Sequence, residues 1–365
     1  MLKYLVFFIF LVIVLSGCAQ KRVVPLERND GLKINAPENV GIDQRLLKSA
    51  SSEIYQYREN SVSPTLQKNK KYVGITSLLV ARKNQLVFER YFNGAALETP
   101  VPAASFSKSV LSALIGIAIG EGKIPSVETS LYDYSDYPEL QHWDDRKAAI
   151  QLRHLLTMTT GWDCGNIGDY ESHCGAEMDK HTDPYKWVLD LPMVAKPGEI
   201  FNYNDAVHRF LGAIIAIATD QYATRYYQEK LMLPMQMENN VLQTSTMTSR
   251  EMLKFGLLYL NQGRFQDQQI VPESWVKQST QVQVPFKQSQ QLQGYGYLWW
   301  VYDFSVGQQT FSGYYAAGNG GQYAFVIPAL ELVVVFTGIN YGSTYYMKQP
   351  FEIMEQYILP SVHSS

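Results

Sequence analysis

Ser105 and Lys108 are the residues whose types and spacing best suit chemistry, because they open a predicted helix as Ser-x-x-Lys. Residues three apart on a helix lie on one face, so the hydroxyl and the amine are within reach of each other. A serine hydroxyl attacks at neutral pH only when something takes its proton. A lysine can be that base only if burial or a nearby positive charge lowers its pKa. The spacing therefore predicts a nucleophilic serine activated by its neighbours.

The helix behind this pair distinguishes it from a chance match. Apolar residues run almost all the way round the helix from Val110 to Ile119, which predicts a buried helix rather than an amphipathic one. An ammonium group beside such a helix is costly unless it has partners. A second Ser-x-x-Lys, Ser274 to Lys277, has no long apolar run behind it, so we interpret it as the start of a surface helix.

Two further motifs complete a resemblance to a known family. Tyr203-Asn204-Asp205 follows Pro197-Gly198-Glu199, and Asn319-Gly320-Gly321 lies near the C-terminus. In this order they resemble the Ser-x-x-Lys, Tyr-x-Asn and Lys-Thr-Gly or His-x-Gly motifs of the serine β-lactamase and D,D-peptidase fold, in its class C-like branch. That branch includes esterases, peptidases and 6-aminohexanoate-dimer hydrolases. The resemblance covers about residues 73 to 342.

The resemblance implies a role for each motif residue. Ser105 would be the nucleophile of an acyl transfer, and Lys108 or Tyr203 would take its proton. Which of the two is the base stays open, because coupled groups can titrate together. The backbone N–H groups of Ser105 and Gln322 would form the oxyanion hole. Gly320 and Gly321 would let the substrate approach the backbone closely.

Two departures from the family pattern limit the predicted substrates. Asp205 replaces the usual asparagine and, while ionised, has no N–H to donate to a substrate amide. Asn319 replaces the lysine or histidine that helps to hold a substrate carboxylate in penicillin-recognising members, and an amide makes no charge-assisted bond there. We therefore expect poor affinity for β-lactams and for D-Ala-D-Ala ends.

The rest of the chain predicts the elements that position these motifs. Strand-like runs near both chain ends imply one sheet, built from residues 41–124 and 267–360, with a mainly helical domain at 125–266. The resemblance likewise implies an α/β (α+β) fold of the β-lactamase/transpeptidase type, with an antiparallel sheet. The predicted strands are 75–82, 85–92, 295–302, 309–316, 322–327 and 332–337; the main predicted helices are 43–57, the one from Ser105 to Gly122, 151–158, 205–219, 249–261 and 349–358.

The composition of the chain limits the classes of partner and substrate that we expect. The 365 residues are 46% hydrophobic and 18% charged, which suits one large or two closely packed domains with a sizeable core. A net charge of −3 implies no polyanionic partner, so we expect no nucleic acid. We expect a small ester, amide or peptide substrate and no cofactor.

The N-terminus resembles the signal of a bacterial lipoprotein. Lys3 precedes an apolar run that is too short to span a bilayer comfortably, and Leu15-Ser16-Gly17-Cys18 resembles a lipobox. This implies removal of residues 1–17, acylation of Cys18, and a polar tether over 18–40. The alternative is an ordinary cleaved signal. We expect an exported, lipid-anchored protein, on the periplasmic side of an outer membrane, held by about 0.8 kcal/mol per buried methylene.

The two remaining cysteines predict a disulfide. Cys164 and Cys174 would pair in an oxidising compartment. A metal site with nearby His173 and His181 is the alternative, but the spacing matches no structural zinc pattern, so we predict no metal.

Three functions remain open at this point. The first is a serine hydrolase of an ester or small amide, acting through an acyl-enzyme. The second is a D,D-peptidase or β-lactamase, which the predicted export of the protein favours and Asn319 disfavours. The third is a catalytically silent binding lipoprotein of the same fold, which the intact Ser105, Lys108 and Tyr203 argue against.

Overall fold

A computed structural model describes residues 25–54, 71–134, 140–164, 174–343 and 346–363. Cys18, the signal segment and His173 lie outside these ranges. The strands are β1 Lys33–Ile34, β2 Ile75–Arg82, β3 Gln85–Tyr91, β4 Val101–Pro102, β5 Thr246–Met247, β6 Arg264–Phe265, β7 Gln268–Gln269, β8 Val284–Pro285, β9 Leu292–Tyr295, β10 Trp300–Val306, β11 Gln309–Gly318, β12 Gln322–Ile327 and β13 Leu332–Gly338. The helices are α1 Gln44–Glu53, α2 Phe106–Gly120, α3 Leu152–Leu156, α4 Cys174–Met178, α5 Pro184–Leu189, α6 Ala206–Thr219, α7 Ala223–Tyr227, α8 Val241–Thr244, α9 Ser249–Leu260, α10 Glu273–Ser279 and α11 Gln349–Ile353.

Within the described ranges, one sheet of nine strands joins the two ends of the chain. Its order is β1-β3-β2-β13-β12-β11-β10-β9-β8, and β13 pairs antiparallel with β2, which connects the C-terminal strands to the N-terminal hairpin. Only the β1–β3 pair in this order is parallel. The predicted α/β architecture with an antiparallel sheet from both chain ends is therefore confirmed.

Helices cover both faces of this sheet. Leu79 and Ala81 of β2 pack into the core beneath α2 and α9, whereas Leu78 and Val80 pack into a second core on the opposite face, with α1 and α11. Because side chains alternate along a strand, covering both faces requires a continuous apolar run. This is why β2 is buried along its whole length.

Local signals predicted most helix and strand ends. Asp43 caps α1 by accepting from the Arg45 backbone N–H, and Thr248 forms a capping box with Glu251 at the start of α9. Helix α9 falls inside the segment predicted to be the helical domain, yet it packs on β12 and β13 of the sheet. The proposed domain boundaries remain a prediction.

Two predictions require correction. The strand predicted over 295–302 is two strands, because the chain turns between β9 and β10, with Leu298 at a φ of +64°. The tether predicted over 18–40 is attached to the folded domain at several points after residue 25, although residues 26–29 are exposed. Residues of β1 pair with β3, and the buried Arg250 guanidinium binds Asp30 and the Leu26 carbonyl.

In the parts of the chain described above, no helix is both long enough and apolar enough to cross a bilayer.

Candidate active site

Ser105 lies at the start of α2, directly after a sharp turn. The short pairing of β4 with β5 fixes the chain before this turn, and Ala104 adopts a left-handed φ of +49°. Such a conformation is unfavourable for an alanine, so the surrounding contacts must hold it. Ser105 is partly exposed and occupies the position before the first helical residue. The turn therefore presents the hydroxyl at the head of a buried helix.

Lys108 lies one helical turn further on and is almost completely buried. Its Nζ donates to Ser105 Oγ at 2.9 Å and to Asp205 Oδ1 at 2.6 Å, and its side chain is 4% exposed. Burial alone lowers the pKa of Lys108, but the charge and hydrogen bonding of Tyr203 and Asp205 outweigh burial and raise the pKa of Lys108 above its usual value. Lys108 is therefore a cation at neutral pH. The sequence left this protonation state open.

Tyr203 lies against the same ammonium group. Lys108 Nζ is 4.9 Å from the centroid of the Tyr203 ring, and the interaction with Tyr203 contributes to the raised pKa of Lys108. Trp300 stacks on the Tyr203 ring at 5.7 Å between centroids, whereas Trp299 faces the core and is fully buried. The paired tryptophans thus divide between the two sides of their strand, and Trp300 helps to fix the orientation of Tyr203.

Asp205 occupies the position before α6 and reaches Lys108 across 97 residues of sequence. Its side chain is 49% exposed, so it lies between the buried ammonium and solvent. From the sequence, Asp205 is predicted only to affect substrate binding. The structure shows that it is the counter-ion of Lys108.

The third motif lies next to the turn that carries Ser105. A Cβ on Gly318 would fall 2.1 Å from the Ala103 carbonyl oxygen, so only a glycine permits this approach of β11 to the turn before Ser105. Gly320 and Gly321 follow with φ of +100° and +99°. Asn319 is exposed, and its Oδ1 accepts from the Gly342 N–H.

Gln322 begins β12 opposite Gly318 and is fully buried. Its side chain accepts from the Gly338 N–H and donates to the Gly338 carbonyl, which ties β12 to β13. This side chain therefore has a structural role. The predicted role of the Gln322 backbone N–H in an oxyanion hole remains a prediction.

His208 is a residue of the site that the sequence analysis missed. The Ser107 hydroxyl donates to the Ala104 carbonyl at 2.8 Å, so it accepts from His208 Nε2, which lies 3.2 Å away. Burial, followed by the positive charge of Lys108, lowers the pKa of His208 to about 4. The neutral ring thus supports the turn before Ser105. The available signal was a histidine one turn after Asp205, in a helix that is apolar except for His208, Arg209 and its last residue, Thr219.

The predicted Cys164–Cys174 disulfide is present. Of the alternative metal ligands, His181 stacks on Trp187. The described residues contain no group of three or more metal-ligating side chains.

A cavity of about 570 Å³ follows the outer face of α6, but it does not include the three motif residues. His208 lines it, together with mainly apolar residues such as Leu111 and Ile217. The cavity therefore lies beside the site and is not formed by its reactive groups.

The geometry brings the Ser105 hydroxyl, the Lys108 ammonium and the Tyr203 ring from two distant motifs into one cluster. The second Ser-x-x-Lys behaves differently, because Ser274 and Lys277 are exposed on α10. The first cluster has the composition that acyl transfer to a serine requires.

Comparison with known proteins agrees with this geometry. The family model described as Beta-lactamase matches residues 65–246. A putative 6-aminohexanoate-dimer hydrolase from Bacillus anthracis has a similar structure, with 22% identity and a TM-score of 0.62 over 84% of this chain and 85% of the other. A putative β-lactamase from Bacteroides dorei gives 17% identity and a TM-score of 0.66 over 88% and 100%.

The hydrolase EstCE1, described as having promiscuous acyltransferase activity, gives 14% identity and a TM-score of 0.66 over 86% of this chain and 98% of its own. No curated protein matches the sequence with significance. At these identities the structural likeness shows the β-lactamase/transpeptidase-like fold, and the family model adds the sequence relationship. The chain therefore belongs to the β-lactamase family, whose members are typically serine hydrolases.

Proposed function

We propose that this protein is a serine hydrolase that cleaves an ester or a small amide through an acyl-enzyme. The observation that supports the proposal most strongly is the 2.9 Å contact between the buried Lys108 ammonium and Ser105 Oγ, with Tyr203 against the same ammonium. A buried cation at a serine hydroxyl has no obvious structural use, because a packed apolar pair would cost less.

In the proposed mechanism the proton of Ser105 passes to Tyr203, in its phenolate form beside the Lys108 cation. Ser105 Oγ attacks the substrate carbonyl carbon, and the tetrahedral intermediate collapses as the leaving group takes the proton from Tyr203. Water then loses a proton to Tyr203 and attacks the acyl-enzyme, and Ser105 regains a proton as the acid is released. Lys108 cannot be the proton acceptor while it carries its own three protons.

The neutral Asn319 favours neutral substrates. Because Asn319 is exposed and its Oδ1 is engaged by Gly342, only its amide N–H groups are available for a substrate carboxylate. Neutral hydrogen bonds are weaker than charge-assisted ones, so we expect weak acylation by penicillins.

The test is covalent labelling of the purified mature protein. A fluorophosphonate and a fluorescent penicillin are applied in parallel, and the modified peptide is identified by mass spectrometry. Phosphonate on Ser105 without penicillin label, together with turnover of a p-nitrophenyl ester, is the expected result. Strong penicillin labelling would favour a D,D-peptidase or β-lactamase instead. Neither label nor turnover would favour a silent binding protein.

We also propose that the protein is exported and held at a membrane by a lipid on Cys18. The lipobox-like sequence and the disulfide between Cys164 and Cys174 support this proposal. Replacing Cys18 by serine should move the protein from the membrane fraction to the soluble fraction. Unchanged fractionation would contradict the lipid anchor.

A further inference from the structure

Helix α4 approaches the site at Asp205. A Cβ on Gly175 would lie 2.7 Å from Asp205 Cβ and 3.5 Å from the Asp205 carbonyl carbon. Carbon atoms in ordinary contact lie about 3.5–4.0 Å apart, so the α4 backbone is already in contact with Asp205 and leaves no room for a side chain. Gly175 has no left-handed φ, so backbone conformation does not explain a glycine here.

Helix α4 is held at both of its ends. Cys174, at its start, is bonded to Cys164, and Asp179, directly after it, forms an ion pair with Arg209 of α6. Met178 is fully buried beneath the helix. A segment of five residues has little stability of its own, so these attachments determine where α4 lies.

We propose that α4 is a brace that positions Asp205 against Lys108, and that the Cys164–Cys174 disulfide fixes this brace. This proposal rests on the proposed hydrolase function. Asp205 is partly exposed, and the packing of α4 against its Cβ limits how far its carboxylate turns toward solvent. With Gly175 packed behind it, the carboxylate stays on Lys108 Nζ and directs the remaining ammonium protons toward Ser105 and Tyr203. Asp205 is in this view a positioning residue.

The surroundings of the ion pair are compatible with this role. Besides Lys108, the titratable groups near Asp205 include Tyr203 and His208, and His208 is neutral because its pKa is lowered. The nearby Arg209 guanidinium is engaged by Asp179. Of these groups, Lys108 is the cation bonded to the Asp205 carboxylate.

The experiment compares two glycine variants. Gly175→Ala adds a methyl group where Asp205 already makes contact, whereas Gly212→Ala, on α6 itself, adds one where no atom lies within 4 Å. Displacement of a catalytic group by about 1 Å can cost up to 10²-fold in rate. We expect Gly175→Ala to lower kcat for a p-nitrophenyl ester between about tenfold and 10²-fold with little change in KM. Gly212→Ala should leave both unchanged.

A double-mutant cycle separates positioning from general damage. If Gly175 acts through Asp205, then Gly175→Ala should cost far less in an Asp205→Asn background than in the wild type. Additive losses would overturn the proposal. A paired Cys164→Ser and Cys174→Ser variant should lower kcat in the same direction and show the same dependence on Asp205. If this variant folds and its kcat is unchanged, the claim that the disulfide fixes the position of α4 is refuted.

The outcomes also separate this inference from the proposed function. If the wild type neither takes the phosphonate on Ser105 nor turns over esters, the hydrolase function fails and the kinetic comparison has no basis. If the wild type is active and Gly175→Ala is as active as Gly212→Ala, the function stands and the brace is refuted.

Discussion

The ion pair between Asp205 and Lys108 can be tested by removing one charge. Asp205→Asn keeps the size of the side chain and restores the residue type that the family pattern has at this position. It removes the anion 2.6 Å from Lys108 Nζ, while Ser105 and Tyr203 keep their contacts with the ammonium. The variant therefore changes the charge around Lys108 with little change of shape.

The magnitude follows from the geometry. The Nζ–Oδ1 distance is 2.6 Å, but the carboxylate charge is shared by two oxygens; with the charge centres about 4 Å apart, two unit charges attract by about 4 kcal/mol at the effective dielectric of a protein surface. The 49% exposure of the Asp205 side chain calls for a discount for solvent screening, which leaves about 2 kcal/mol. Since one pH unit corresponds to 1.36 kcal/mol, the basic limb of the pH–rate profile should move to lower pH by about one to two units.

The assay is kcat/KM for a p-nitrophenyl ester, measured from about pH 5 to about pH 11 so that the profile extends past the ordinary pKa of a lysine. If the Lys108 cation is required, activity is present below the limb and lost above it, so the variant loses activity first at alkaline pH. If neutral Lys108 were the base, the variant would instead gain activity at neutral pH. Such a gain, or an unchanged profile, would refute the charge assignment. Asp205→Glu, which keeps the charge, is the control.

Three further predictions concern single residues. Ser105→Ala should abolish ester turnover and phosphonate labelling with a nearly unchanged melting temperature; a large loss of stability would mean that the hydroxyl is structural. His208 has a lowered pKa of about 4, so its contribution to stability is complete above pH 6.5 and is lost as pH falls toward 4, by about 3 kcal/mol. Urea titrations at pH 7 and 4.5 should show a smaller loss in His208→Gln than in the wild type; part of the loss remains, because burial also lowers the pKa of His154 to about 4. Arg250→Met should lower the free energy of unfolding by about 3–5 kcal/mol, because it leaves the buried Glu89 carboxylate unpaired; a loss below 1 kcal/mol would contradict this.

Features set by local sequence could be predicted. The hairpin of β2 and β3 follows from two β-branched and apolar runs joined by Lys83-Asn84. Lys83 and Asn84 both adopt left-handed φ values in the turn. The start of α9 follows from the Thr248 capping box. In these cases the residues that determine the structure are neighbours in the chain.

Features set by distant contacts could not be predicted. The run from Tyr295 to Tyr302 has the composition of a single strand, but tertiary contacts make the chain turn at Leu298. The Leu298 N–H donates to the Leu156 carbonyl, and the Leu298 carbonyl accepts from the Ser109 hydroxyl. Likewise, the motif identified Asp205, but its bond to Lys108 depends on how α6 packs on α2. The motifs select the candidate residues, and packing determines what each one contacts.

The charges that the structure brings to Ser105 explain why one substitution in a motif changes the expected chemistry. Lys108 and Asp205 form a pair with no net charge, His208 is neutral because its pKa is lowered, and Asn319 is neutral by its nature. Among the described residues, these four therefore offer a substrate carboxylate no uncompensated cation. Under the proposed function, a neutral ester or amide needs no such cation to bind. The attack on its carbonyl requires only that negative charge be stabilised as it develops on the oxygen. In the proposed mechanism, the Asp205 carboxylate therefore restricts Lys108 to supporting proton transfer between Ser105 and Tyr203, and substrate recognition depends on neutral contacts.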